Sequence, residues 1–137
     1  MNRRDLQELS RIRMKEARAL LDLRMPDGAD YLAGYAVECA LKACIAKETK
    51  RYDFPDKKRA DSSYTHRVSS LVALAGLEDA RAAHEKQNEI VRKNWQIVYR
   101  WSEESRYKRT SLEVAREMVT AVGDWRYGVI SWIRRFW

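Results

Sequence analysis

Residues 30–47 read DYLAGYAVECALKACIAK, about five helical turns that are apolar on almost every side. A surface helix keeps a polar face, so a helix of this composition belongs inside a protein, with other helices around it. Gly34, Glu38 and Lys42 interrupt it on one narrow stripe, each four residues from the next. Two arrangements account for the charges. The stripe can face solvent, with an i,i+4 pair that contributes only about 0.2–0.5 kcal/mol. Alternatively Glu38 is buried and meets a cation from another helix, for which Arg106 in ESRY is the preferred candidate, because an unpaired buried charge is costly. Gly34 in a helix interior costs up to about 1 kcal/mol relative to alanine, which points to a close helix approach or a packed interface.

The rest of the chain supplies the helices to surround this one. Residues 3–24 carry Leu6, Leu9, Ile12, Ala17, Leu20 and Leu21 at helical spacing. MPDG at 25–28 predicts a turn, after which Asp27 or Asp30 can cap a helix running to about Lys50. Pro55 and the basic run Lys57, Lys58, Arg59 mark the longest break, over 51–64. A short helix from His66 ends where Gly76 suits the position just past a C-terminus. A further helix covers roughly 78–100, with a break expected near Gln87–Asn88. SEESRYKR at 102–109 interrupts the pattern, and Thr110 with Glu113 fits a capping box for a last helix whose apolar side includes Val119, Trp125, Ile133 and Phe136. No useful strand-like alternation occurs. The prediction is one all-α domain over 1–137, an antiparallel up-and-down bundle of four to five helices.

Composition narrows the function classes. Charged residues are 34% and apolar ones 45% of the 137, which suits a folded helical protein rather than a disordered one. The net charge of +7 favours a polyanion, a nucleotide or an acidic partner without choosing among them. Cys39 and Cys44 lie five apart on one helix, too far apart and too differently directed for a disulfide, and read as small buried residues in a reducing compartment. The N-terminal MNRRDLQELS lacks an apolar signal region and no run reaches membrane-spanning length, so a cytoplasmic location and no membrane association are expected.

DYLAGYAVECALKACIAK, then SYTHRVSSLVALAGL, then WSEESRY resemble, in that order, the HEPN domain (higher eukaryotes and prokaryotes nucleotide-binding). The resemblance runs from about Arg4 to Trp132, with GYAVECALKA its most specific piece and ESRY the second. It implies a HEPN-like helical bundle, usually paired as a homodimer. Some members are metal-independent ribonucleases, often toxins in toxin–antitoxin or phage-defence systems. Others lack the nuclease residues and work beside small nucleotidyltransferases or bind nucleotides.

The nuclease group carries an Arg-x4–6-His motif. Arg81 stands too close to His84 to form it. Arg59 and His66 enclose six residues, but alanine follows Arg59 where the family has a polar residue, and the pair spans a loop rather than a late helix. As catalytic candidates, His66 would act as base near a 2′-hydroxyl, with Arg59, Arg67 or Arg106 beside the developing phosphorane. The alternative for His66 is a structural residue at a helix start. For RNA or nucleotide binding, Lys57, Lys58, Arg67 and Arg106 with Tyr64 combine positive charge and an aromatic ring. A second basic set, Arg100, Arg106, Lys108 and Arg109, would face the same groove if the helices pack antiparallel. Trp95, Trp101, Trp125 and Trp132 sit at helical positions and are expected in the core. No phosphate-binding GxxxxGK[ST] loop occurs, and neither metal ligands nor a serine-hydrolase set have informative spacing, so no cofactor or metal is expected. The leading expectation is a non-catalytic or weakly active RNA- or nucleotide-binding module with a nucleotidyltransferase or antitoxin partner. The alternatives are a metal-independent endoribonuclease toxin using His66 and a dimeric protein-interaction module.

Overall fold

The structure is a computed structural model, and it describes residues 1–51, 61, 62 and 64–137. The basic run Lys57, Lys58 and Arg59, with Tyr52, Phe54 and Pro55, lies outside the described residues. Among the described residues the chain is all-helical, with no strand. Seven α-helices have defined bounds: α1 (Arg3–Asp22), α2 (Pro26–Arg51), α3 (Val68–Leu74), α4 (Glu78–Gln87), α5 (Glu89–Tyr99), α6 (Leu112–Gly123) and α7 (Val129–Ile133). A 3₁₀ turn, Glu103–Tyr107, joins α5 to α6. This exceeds the four to five helices expected, because two of the expected long helices are each split.

The apolar helix α2 is the centre of the bundle. It packs against α1, α3, α6, α7 and the 3₁₀ turn, and Ala29, Ala33, Ala36, Val37, Ala40, Leu41 and Ala43 are completely buried. Its many alanines let neighbouring helices come close from several sides. Gly34 serves the same end: a Cβ there would fall on the Trp101 indole. The indole Nε1–H also donates to the Tyr31 carbonyl at 3.1 Å. On the α1 side, Ser10 is buried and its hydroxyl donates to the Ala36 carbonyl at 2.8 Å.

The turns differ from expectation in instructive ways. Pro26, Asp27 and Gly28 are the first residues of α2 rather than a turn, since proline needs no N–H bond at a helix start. The turn itself is Leu23–Met25. There Met25 N–H donates to Leu20 O and Arg24 N–H to Leu21 O, a Schellman motif with Arg24 at φ 58° where glycine is usual. The end of α3 repeats it with Gly76 at φ 71°, as expected of that glycine.

Asn88 caps α5 by accepting from Ile90 N–H at 2.7 Å, which produces the break expected there. The cap of α6 is Ser111, which accepts from Val114 N–H at 3.1 Å, and not Thr110. Thr110 instead donates its backbone N–H to Asp27 Oδ1 at 2.6 Å. The last helix also does not run through to Phe136. Asp124 Oδ2 accepts from the N–H groups of Arg126 (3.2 Å) and Tyr127 (2.7 Å), a local turn that competes with the helix. Trp125 rides on that turn and is 83% exposed, whereas Trp95, Trp101 and Trp132 are in the core as expected.

Candidate functional site

The charged stripe of α2 does not face solvent at Glu38, which is 2% exposed. Its Oε1 accepts from Lys42 Nζ at 2.9 Å, the i,i+4 partner, and lies 2.8 Å from His66 Nδ1. A carboxylate oxygen accepts, so Nδ1 carries the hydrogen and Nε2 is directed outward. There it meets Glu103 Oε2 at 3.4 Å. His66 reaches this position from the extended residues before α3, and Glu103 from the first turn of the 3₁₀ segment.

A cross-helix partner for Glu38 therefore exists, but it is His66 and not Arg106. Within ESRY the buried residue is Ser105 (5% exposed), whose hydroxyl accepts from Ser102 N–H at 3.2 Å. The next side chain in a 3₁₀ turn points about a third of a turn away, and Arg106 accordingly lies outside, its guanidinium over the Tyr107 ring. Glu38 Oε2 is buried and has no hydrogen-bond partner among the described residues. Next to this carboxylate, burial pushes the Cys39 thiol up to about 12, with the negative charge of Glu38 adding to the effect. Cys39 and Cys44 are both free and buried, as read from their spacing.

Six of the basic residues line two separate cavities. One, about 1050 Å³, is lined by Arg3, Arg4 and Lys42 together with Leu6, Ile45 and Tyr64. The other, about 280 Å³, gathers Arg100, Lys108 and Arg109 at the start of α6, with Asp30 and Glu117 as its acids. Burial pushes the Asp30 carboxyl above its usual value, against the pull of Lys108. The cavities meet α2 at Lys42 and Asp30, twelve residues apart, about 18 Å along a helix. The second basic set thus does not share a groove with Tyr64. Arg106 lines neither cavity, and Arg67 is exposed on the approach to α3.

Sequence reasoning missed Glu103 as a neighbour of His66, although it stands in the quoted WSEESRY. Nothing in spacing alone ties it to a histidine 37 residues away. His84 is half-buried with its ring stacked on Trp132 at 5.0 Å. Burial pushes its titration down, as does the charge of Arg135. No cluster of metal-ligating side chains occurs among the described residues, and no helix there is long and apolar enough to cross a membrane.

These features define an all-helical protein whose central helix holds a buried carboxylate paired with a half-exposed imidazole from the segment before α3. No family model, curated protein or solved structure matches the chain.

Proposed function

We propose that the protein is an RNA- or nucleotide-binding helical module of HEPN type, non-catalytic or weakly active. On that reading it works as a homodimer beside a nucleotidyltransferase partner or within a toxin–antitoxin or defence system. The observation that carries the non-catalytic part is the Glu103 carboxylate, whose Oε2 stands 3.4 Å from His66 Nε2 while Nδ1 is held by Glu38. A base acting on a 2′-hydroxyl needs Nε2 open to the substrate, and a phosphate approaching it here would meet the Glu103 carboxylate first. The binding part is supported by the convergence of Arg100, Lys108 and Arg109 on one cavity, where they outnumber the acids.

One observation favours the ribonuclease alternative. Glu38 fixes the tautomer and direction of His66 as a carboxylate does in acid–base sites, and a rotation of the exposed Glu103 side chain would free Nε2. The test is RNA cleavage in EDTA by the wild type and by His66→Ala, run beside binding of labelled RNA and of ATP. Binding without cleavage by either protein is the expected result. Cleavage that survives EDTA and disappears in His66→Ala would establish the nuclease. Folded wild-type protein that neither binds nor cleaves would end both readings.

A further inference from the structure

The outward face of α1 carries Arg4, Arg11, Lys15 and Arg18, all exposed. At 100° per residue they fall within about 60° of one another, and the row extends about 21 Å along the helix. Arg11 and Lys15 are like charges four apart, which works against the helix. Elsewhere arginines have nearby acids: Arg13 pairs with Glu16, Arg81 with Glu85 and Arg92 with Glu89. No side-chain carboxylate pairs with any member of the α1 row among the described residues, although Glu8 and Asp22 are on the same helix.

The row is extended by the segment after α7. The guanidiniums of Arg11 and Arg134 lie over the Trp137 ring, 4.9 and 5.4 Å from its centre. Arg134 is pushed below its usual value by burial and then by the charges of Arg11 and Arg18, so positive charge here crowds positive charge. A surface that keeps unneutralised cations at this density is complementary to a line of phosphates. Arg11, Trp137 and Arg134 add guanidinium and indole groups, the kinds of side chain on which unpaired bases stack. A lipid surface fits less well, since the large apolar side chain exposed on α1 nearby, Ile12, is turned about 100° from Arg11.

We propose that the outer face of α1, continued by Arg134 and Trp137, is the track along which single-stranded RNA binds. This rests on the RNA-binding reading above and locates its main contact surface away from the His66 cluster and the Arg100–Lys108–Arg109 cavity.

The test is fluorescence anisotropy of a labelled single-stranded RNA of about 20 nucleotides with the full chain, across a salt series. Arg11→Gln/Lys15→Gln/Arg134→Gln removes three charges and should weaken binding at least tenfold. It should also lower the slope of log K against log salt by about 2, at ~0.7 per phosphate contact on a single strand. Arg92→Gln/Lys93→Gln on α5 should change neither. Should the triple variant fail to fold by circular dichroism, Arg4→Gln/Lys15→Gln serves, with an expected slope loss of about 1.4. Wild-type binding with an unchanged slope in folded α1 variants overturns the track and leaves the function standing. A slope loss in Arg100→Gln/Lys108→Gln/Arg109→Gln instead would move the contact to that cavity. No RNA binding by the wild type removes the function and the track together.

Discussion

Glu38 shows how a single residue decides between two local structures. Its carboxylate is almost completely buried and holds Lys42 and His66 on one oxygen. Removing it takes away the acceptor that Lys42 and His66 share and leaves a void inside the bundle. Glu38→Ala is expected to lower the free energy of unfolding by about 2 kcal/mol or more in urea titrations. Arg106→Ala, by contrast, removes an exposed side chain stacked on its neighbour and should stay within about 0.5 kcal/mol. A cross-helix partner for Glu38 was legible in the sequence as one of two arrangements, the other being a solvated stripe. Its identity was not, since choosing between His66 and Arg106 depends on which residue of a 3₁₀ turn points inward.

At the scale of elements, caps and turns carry the testable content. Ser111→Ala removes the hydroxyl that accepts Val114 N–H and should cost about 0.5–2 kcal/mol. Thr110→Ala keeps the backbone N–H that bonds Asp27, so a loss below about 0.5 kcal/mol is expected. Equal losses for the two would mean that the helix begins at Thr110 after all. Arg24 occupies the left-handed position that ends α1, where an L side chain is strained by roughly 1–2 kcal/mol. Arg24→Gly should therefore raise the thermal midpoint, with a gain of about 0.5–1 kcal/mol after the entropy of the freer unfolded chain is subtracted. The helices were readable from apolar spacing, but the break at Asp124 was not. Trp125 and Val129 extend a helical pattern that the Asp124 side chain overrides by bonding two backbone N–H groups.

For the molecule as a whole, titration should bound stability on both sides. Burial pushes Cys39 and Cys44 each up to about 12. Above roughly pH 9 the unfolded chain loses thiol protons that the folded chain keeps, so stability falls, by up to about 1.4 kcal/mol per pH unit per thiol. On the acid side His84 resists protonation, most by burial and then by Arg135. Below its ordinary value of 6.5 the unfolded chain takes up a proton that the folded one refuses, and stability falls again. Urea midpoints measured from pH 5 to 10 should rise to a plateau between about pH 6.5 and 9 and decline on either side. Native protein at pH 8 should also leave both thiols unreacted with a disulfide reagent until it is unfolded. A flat profile, or rapid modification of the native thiols, would contradict the burial of α2.

Patterns that repeat along a chain are local, and the sequence by itself therefore determined the helical class, the central place of residues 30–47, the close approach at Gly34 and the burial of both cysteines. Each follows from the composition and spacing of side chains on one helix. Tertiary structure alone decided what lies across from what. It joined His66 to Glu38 and Glu103 to His66, set Arg3, Arg4 and Lys42 in one cavity and Arg100, Lys108 and Arg109 in another, placed Trp125 outside, and brought Arg134 to Arg11 over Trp137. Those contacts connect residues up to 126 positions apart, Arg11 and Trp137. They depend on which face each helix turns inward, a choice made by packing the whole bundle around α2.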